Sequence, residues 1–168
     1  MKKVVAFTGP SNSGKTTLIE KLALNLRGRD RRVVIIKHDP KDKAVLDQEG
    51  KDSYKFFHTD SDVAIISPKR TTLFFHKSYS VDEVIEMFGD FDLLMVEGLK
   101  HLKLPRVAVF RGKIDESYFS EVLAIAIDDS IDLEKESIPK NIDILDLNSI
   151  DEMIEWIERN AKAVDINS

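Results

Sequence analysis

The chain has 168 residues, 42% hydrophobic and 33% charged, the make-up of one folded domain over 1–168 rather than of a disordered segment. Its formal charge of −5 gives no general basic surface for a nucleic-acid backbone, so nucleic acid is not an expected partner. With no cysteine, disulfides, thiolate nucleophiles and cysteine-held zinc are excluded, and a cytoplasmic location is expected.

MKKVVAF begins with the lysines of a signal peptide, but its apolar run stops at Phe7, short of the roughly 7–15 residues such a segment needs. No stretch approaches the ~20 apolar residues of a membrane span, so no membrane partner is expected. Lys3–Phe7 is β-branched and aromatic and stops at Thr8-Gly9-Pro10, which predicts a buried strand. From Lys15 the period changes. Leu18, Leu22 and Leu26, with Ile19 and Ala23, form the apolar stripe of a helix ending near Gly28. Arg31–Lys37 is the second strand, and strand, helix and strand together make a right-handed, parallel βαβ unit.

Asp39 to Asp52 has no periodic pattern and is long for a connection, which marks a functional loop. Further strands are expected at Asp62–Ser67, Thr71–Lys77, Asp92–Glu97, Arg106–Phe110, Val122–Ile127 and Ile142–Leu147. Ser80 with Glu83, and Ser149 with Glu152, are capping boxes that open two helices. The spacing in SPKRTTLFF predicts one antiparallel excursion in an otherwise parallel sheet.

Between the first strand and the first helix, Gly9–Thr16 reads GPSNSGKT and fits G-x-x-x-x-G-K-[ST]. Its glycines allow a backbone in which successive N–H groups converge, and the following helix adds the positive end of its dipole. Phosphate is then held by Gly9, Pro10, Ser11, Asn12, Ser13 and Gly14, with Lys15 on the β/γ-phosphates, Thr16 on Mg2+ and Thr17 near an α-phosphate. A bland Gly-Ser turn is the competing reading, but the flanking strand and amphipathic helix are what phosphate binding demands. The fold class is therefore α/β: a P-loop NTPase-type three-layer sandwich, mostly parallel, with helices on both faces.

The metal needs a carboxylate at the carboxyl end of a neighbouring strand, and Glu97 stands there after Leu93-Leu94-Met95-Val96. Asp92, at the other end, reads as a turn residue. Asp39 is a weaker candidate for a water-mediated metal contact, with a solvated loop acid equally plausible. His38, His58, His76 and His101 show no zinc-ligand spacing. Lys51, Lys55, Lys100 and Arg111 either gather around anions or are solvated surface charges.

These segments, in order, resemble the molybdopterin-guanine dinucleotide biosynthesis protein B (MobB) family: GPSNSGKTTLIEKL, VVIIKHD, GKDSYKFF, ISPKRTTLFF and LLMVEGLK with LPRVAVFR. The resemblance runs from about Lys3 to Ile127, and its discriminating parts are Lys37-His38, Gly50-Lys51-Asp52-Ser53 and Val96-Glu97-Gly98. It implies a homodimeric GTP-binding protein using Mg2+, with weak GTP hydrolysis, that assists a MobA-type guanylyltransferase in joining GMP to molybdopterin. Two departures stand out. Asp39-Pro40-Lys41 replaces the histidines that often follow Lys-His in this family, and the acidic motif before Gly50 is reduced to LDQEG.

No Asn-Lys-x-Asp run is present to read guanine, which leaves Asp128 or Asp129, just past Ile127, as the candidate acceptors. Slow hydrolysis is expected because no attacking-water residue or arginine finger stands in the motifs, unless Arg111 or Lys100 comes from a partner subunit. The alternative is a small-molecule kinase using ATP and Mg2+, with Asp39 or Asp52 as base. It lacks an Arg-rich lid segment.

Overall fold

The computed structural model of the chain describes residues 2–44 and 47–164. Residues 45 and 46 of the expected functional loop lie outside the described residues. In chain order the elements are β1 (Lys3–Thr8), α1 (Lys15–Gly28), β2 (Val33–Lys37), α2 (Asp52–Phe57), β3 (Val63–Ile66), β4 (Thr71–Phe74) and α3 (Val81–Phe88). Then come β5 (Leu93–Glu97), β6 (Arg106–Val109), β7 (Ala124–Ile127), β8 (Asp143–Asp146), α4 (Ile150–Asn160) and β9 (Lys162–Ala163). Short 3₁₀ turns at Glu116–Glu121 and Leu133–Lys135 flank β7. Two compact units result: Met1–His38 with Phe88–Ser168, and Asp39–Met87.

The first unit holds a sheet of order β2-β5-β1-β6-β7-β8, all parallel. β1, β6 and β7 are buried on both faces, which is why their sequences are continuous apolar runs instead of alternating ones. Alternation still decides which layer each residue feeds. Val5, Phe7, Val107, Val109, Ala124 and Ala126 pack under α1 and α4 through Leu18, Leu22, Met153 and Trp156. Ala108, Phe110, Ile125 and Ile127 point the other way, against Ile114, Val122, Ile131 and Ile142 of the connecting segments. The three-layer α/β arrangement expected from the sequence is present.

β1 is paired with β6 only from Ala6 onward, and β9 runs antiparallel beside Lys3 and Val4, where β6 has not begun. Most expected strands lose one or two terminal residues, and Thr71–Lys77 loses three. At the start of β2 and β5, the Arg32 amide donates to Asp92 Oδ2 at 2.7 Å, the turn role expected for Asp92.

The second unit contains a separate two-stranded antiparallel sheet, β3 with β4, in register from Val63↔Phe74 to Ile66↔Thr71. This corrects the expectation of an antiparallel excursion within the parallel sheet: the pair stands apart, and β9 is the antiparallel member of the large sheet. α2 was not legible in sequence, since its six residues are too few to show a helical period. Phe57 of α2 stacks on His76 at 3.8 Å between centroids and meets Phe74 at 5.9 Å, which gives this unit an aromatic centre of its own. The Ser80–Glu83 capping box forms in both directions, with Ser80 N donating to Glu83 at 2.7 Å and Glu83 N to Ser80 Oγ at 3.3 Å. The second box is half made, because Glu152 accepts from the Asp146 amide instead of from Ser149. No helix among the described residues is long and apolar enough to cross a membrane.

Candidate functional site

The loop after β1 is shaped by three residues in the left-handed region: Gly9 (φ 133°), Asn12 (φ 63°) and Gly14 (φ 95°). At Gly9 a Cβ would run into the backbone carbonyl of Val109 on the adjacent β6, so glycine is required by space as well as by conformation. Asn12 is one of the few non-glycine types that tolerates this region. Gly14 caps α1 and accepts from the Leu18 amide at 2.9 Å, and its cap position makes no side-chain hydrogen bond to the helix's first amides. Such a loop opening a helix is an anion cradle.

Lys15 reaches back across the loop, with Nζ donating to Pro10 O at 2.5 Å, Gly9 O at 3.0 Å and Ser13 Oγ at 3.5 Å. Burial pushes its ammonium below the ordinary lysine value; Glu97 opposes that shift and Lys37 adds to it. Thr16 and Thr17 are exposed on the first turn of α1.

Glu97 ends β5, which lies between β2 and β1, and it is in register with Phe7 on one side and Lys37 on the other. Its side chain is only 16% exposed, and Oε2 is 3.4 Å from Lys37 Nζ. The loop lysine, the sheet-edge carboxylate and the first-turn threonines thus share the carboxyl edge of the sheet, as expected from the sequence. Hydroxyl and carboxylate oxygens are the hard donors that suit Mg2+, which retains several waters, so the residues present fit that ion.

Asp39 spends its carboxylate on its own loop. Oδ2 accepts from the Lys43 and Ala44 amides at 2.6 Å each, and Oδ1 from Lys41 N at 3.3 Å. The four cations considered as an anion cluster are otherwise engaged or exposed: Lys55 pairs with Asp52, Lys100 lies over the Tyr118 ring at 3.9 Å, and Lys51 is exposed. Arg111 is the informative one. Its guanidinium packs against the Gly14 backbone, and its Nε is 3.0 Å from Asp128 Oδ2. Asp128 also takes the Ser130 hydroxyl, so its oxygens are committed, while Asp129 beside it is exposed at a cavity of about 440 Å3 beyond β7 and β8. A second cavity of about 400 Å3, lined by Lys3, Arg31, Asp92 and Glu158, lies at the opposite, amino edge of the strands and is remote from the loop.

Two residues of the site were given no role in sequence. Lys37 enters only through the β2–β5 register. Arg106, 1% exposed, gives Nη1 to Gly98 O at 2.7 Å and Nη2 to Leu99 O and Leu102 O at 3.0 Å each, and so holds the loop that follows Glu97. The only available signal was a charged residue heading an apolar strand, which is usually a solvated edge.

A parallel sheet with this strand order, and a glycine-bounded loop passing from its central strand into a helix, give the chain a fold of the P-loop NTPase type. Residues 4–128 match the family described as MobB, molybdopterin guanine dinucleotide synthesis protein B, and the chain belongs to that family. It is 31% identical over 163 residues to the molybdopterin-guanine dinucleotide biosynthesis adapter protein of Haemophilus influenzae, covering 92% of this chain and 87% of that one. To the adapter protein of the same description in Escherichia coli it is 29% identical over 177 residues, covering 95% of each. The crystal structure of Bacillus subtilis MobB superposes with a TM-score of 0.75 at 21% identity, covering 96% of this chain and 99% of that one. That last likeness is one of fold.

Proposed function

We propose that the chain is a GTP-binding adapter in molybdopterin-guanine dinucleotide synthesis, and that it assists a MobA-type guanylyltransferase which joins GMP to molybdopterin. The observation that carries the nucleotide part is the cradle itself: Gly9, Asn12 and Gly14 in left-handed conformations, with Lys15 across the loop and Glu97 at the neighbouring strand end. Gly9–Thr17 bind the phosphates, Thr16 and Glu97 hold Mg2+ directly or through water, and the bound ion neutralises phosphate charge. The adapter part is supported by the names of the relatives at 31% and 29% identity. Asp129, with Asp128 committed to Arg111 and Ser130, is the acceptor for the guanine edge. A homodimer in the cytoplasm, with weak hydrolysis at most, completes the reading. Apolar side chains left exposed in the second unit, among them Ile66 at 81% and Phe56 at 60%, support self-association.

The kinase reading stands second. Its proposed bases are engaged, Asp39 with the amides of its own loop and Asp52 with Lys55. The test is a calorimetric titration of GTP and ATP, each with and without Mg2+, on wild type and Lys15→Ala. Mg2+-dependent preference for GTP, lost in the variant, is expected, followed by stimulation of guanylyl transfer to molybdopterin in a mixture with the transferase. Preference for ATP would put the kinase first.

A further inference from the structure

Lys37 and Glu97 are the last residues of the neighbouring parallel strands β2 and β5, and they are directly in register. Registered residues on parallel strands project to the same face, which brings the ammonium and the carboxylate together at 3.4 Å. The two partners differ in freedom: the Glu97 side chain is 16% exposed and the Lys37 side chain 61%. The backbone under them is fixed, since the His38 amide donates to the Glu97 carbonyl at 3.0 Å. Any rearrangement at this point is therefore a swing of the lysine side chain.

The carboxylate that Lys37 holds is the one proposed for the metal. An ammonium and a divalent cation compete for the same oxygens, and the doubly charged hard ion is favoured where phosphate oxygens complete its shell. The ammonium so displaced stands at the carboxyl edge from which the loop departs, since Glu97 is in register with Lys37 on one side and with Phe7, two residues before Gly9, on the other. Lys37 lacks an anionic partner as soon as that carboxylate is taken. A terminal phosphate supplies it.

Resting on the nucleotide reading above, we propose that Lys37 is a second, in-chain triphosphate lysine: it holds Glu97 in competition with the divalent cation and turns to the terminal phosphate when displaced. The consequence is selectivity. Metal without nucleotide is disfavoured by an ion pair that must be broken, and a diphosphate offers the displaced lysine no terminal partner.

The test titrates Mn2+ alone, then GDP and a non-hydrolysable GTP analogue with Mg2+, into wild type, Lys37→Met and Lys15→Ala. Lys37→Met is expected to bind Mn2+ alone about tenfold more tightly and to lose about tenfold of the triphosphate-over-diphosphate preference, the scale of one charge-assisted hydrogen bond. Its melting temperature should stay that of wild type, because the side chain is mostly exposed. If wild type binds the analogue and either expected change is absent, the Lys37 proposal is overturned alone. If neither nucleotide binds wild type and Lys15→Ala changes nothing, the nucleotide reading itself fails and takes the proposal with it.

Discussion

The guanidinium of Arg106 lies beneath the loop that follows Glu97, with Nη1 2.7 Å from the Gly98 carbonyl oxygen. Its other donors reach the carbonyl oxygens of Leu99 and Leu102, so these hydrogen bonds all go to backbone oxygens. Burial pushes this arginine below its ordinary pKa, with Glu121 partly opposing, yet the three carbonyls keep the charge satisfied where it stands. Arg106→Met leaves those oxygens without their donors and should destabilise the fold by about 3 kcal/mol. Urea denaturation measures the loss, and amide exchange should quicken first in residues 98–102. A variant within about 1 kcal/mol of wild type would show that the loop does not depend on Arg106.

Gly9 and Gly28 should answer oppositely to alanine. A methyl at Gly9 meets the Val109 backbone, which cannot retreat without opening the β1–β6 pairing, and the φ of 133° is itself hostile to a side chain. Gly9→Ala is expected to cost about 2–4 kcal/mol and to abolish phosphate binding. A methyl at Gly28 meets nothing within 4 Å at the end of α1 and should stabilise by about 0.5 kcal/mol. Thermal melts of the two variants side by side check both signs.

The Asp128 carboxyl sits below its ordinary pKa. The Ser130 hydroxyl is the chief cause; partial desolvation works against it, and the Ser130 amide and the Arg111 guanidinium add to the lowering. A carboxyl whose folded pKa is depressed stabilises the fold above its unfolded value of 3.8, and that contribution is lost as pH falls through the lower folded value. Ser130→Ala should therefore raise the Asp128 pKa toward 3.8 in an NMR titration and move the acid-unfolding midpoint to higher pH. An unmoved Asp128 titration would take Ser130 out of the pairing.

Glu97→Gln keeps the shape of the strand end and removes its charge. Triphosphate binding in the presence of Mg2+ should weaken by about tenfold or more, while binding in EDTA should hold steady or improve, because the carboxylate no longer repels phosphate. Equal losses with and without metal would remove Glu97 from the metal site.

Much of this protein is local and was legible as such. The loop Gly9–Thr16 needs certain residue types at certain offsets, and β1, β6 and β7 are buried on both faces, so their apolar runs stand out against any neighbour. The helix at Lys15–Gly28 follows from its own stripe of leucines. These features depend on interactions within a few residues of chain, and sequence by itself determined them. What it could not carry is pairing at a distance. That Lys37 faces Glu97 depends on β2 lying beside β5, sixty residues later in the chain, and in that exact alignment. That Arg106 is buried, when arginine at the head of a strand is ordinarily solvated, depends on carbonyls from residues 98–102 folding over it. Asp128 and Asp129 read alike in sequence as candidate acceptors, and only the fold sets Asp128 apart by placing Arg111 and Ser130 against it. The β3–β4 pair reads the same from sequence whether it joins the large sheet or stands apart, since strand pairing is decided by which edge is open and not by the strand's own residues. Charge partners and strand neighbours are properties of the assembled sheet, and only the tertiary structure decided them.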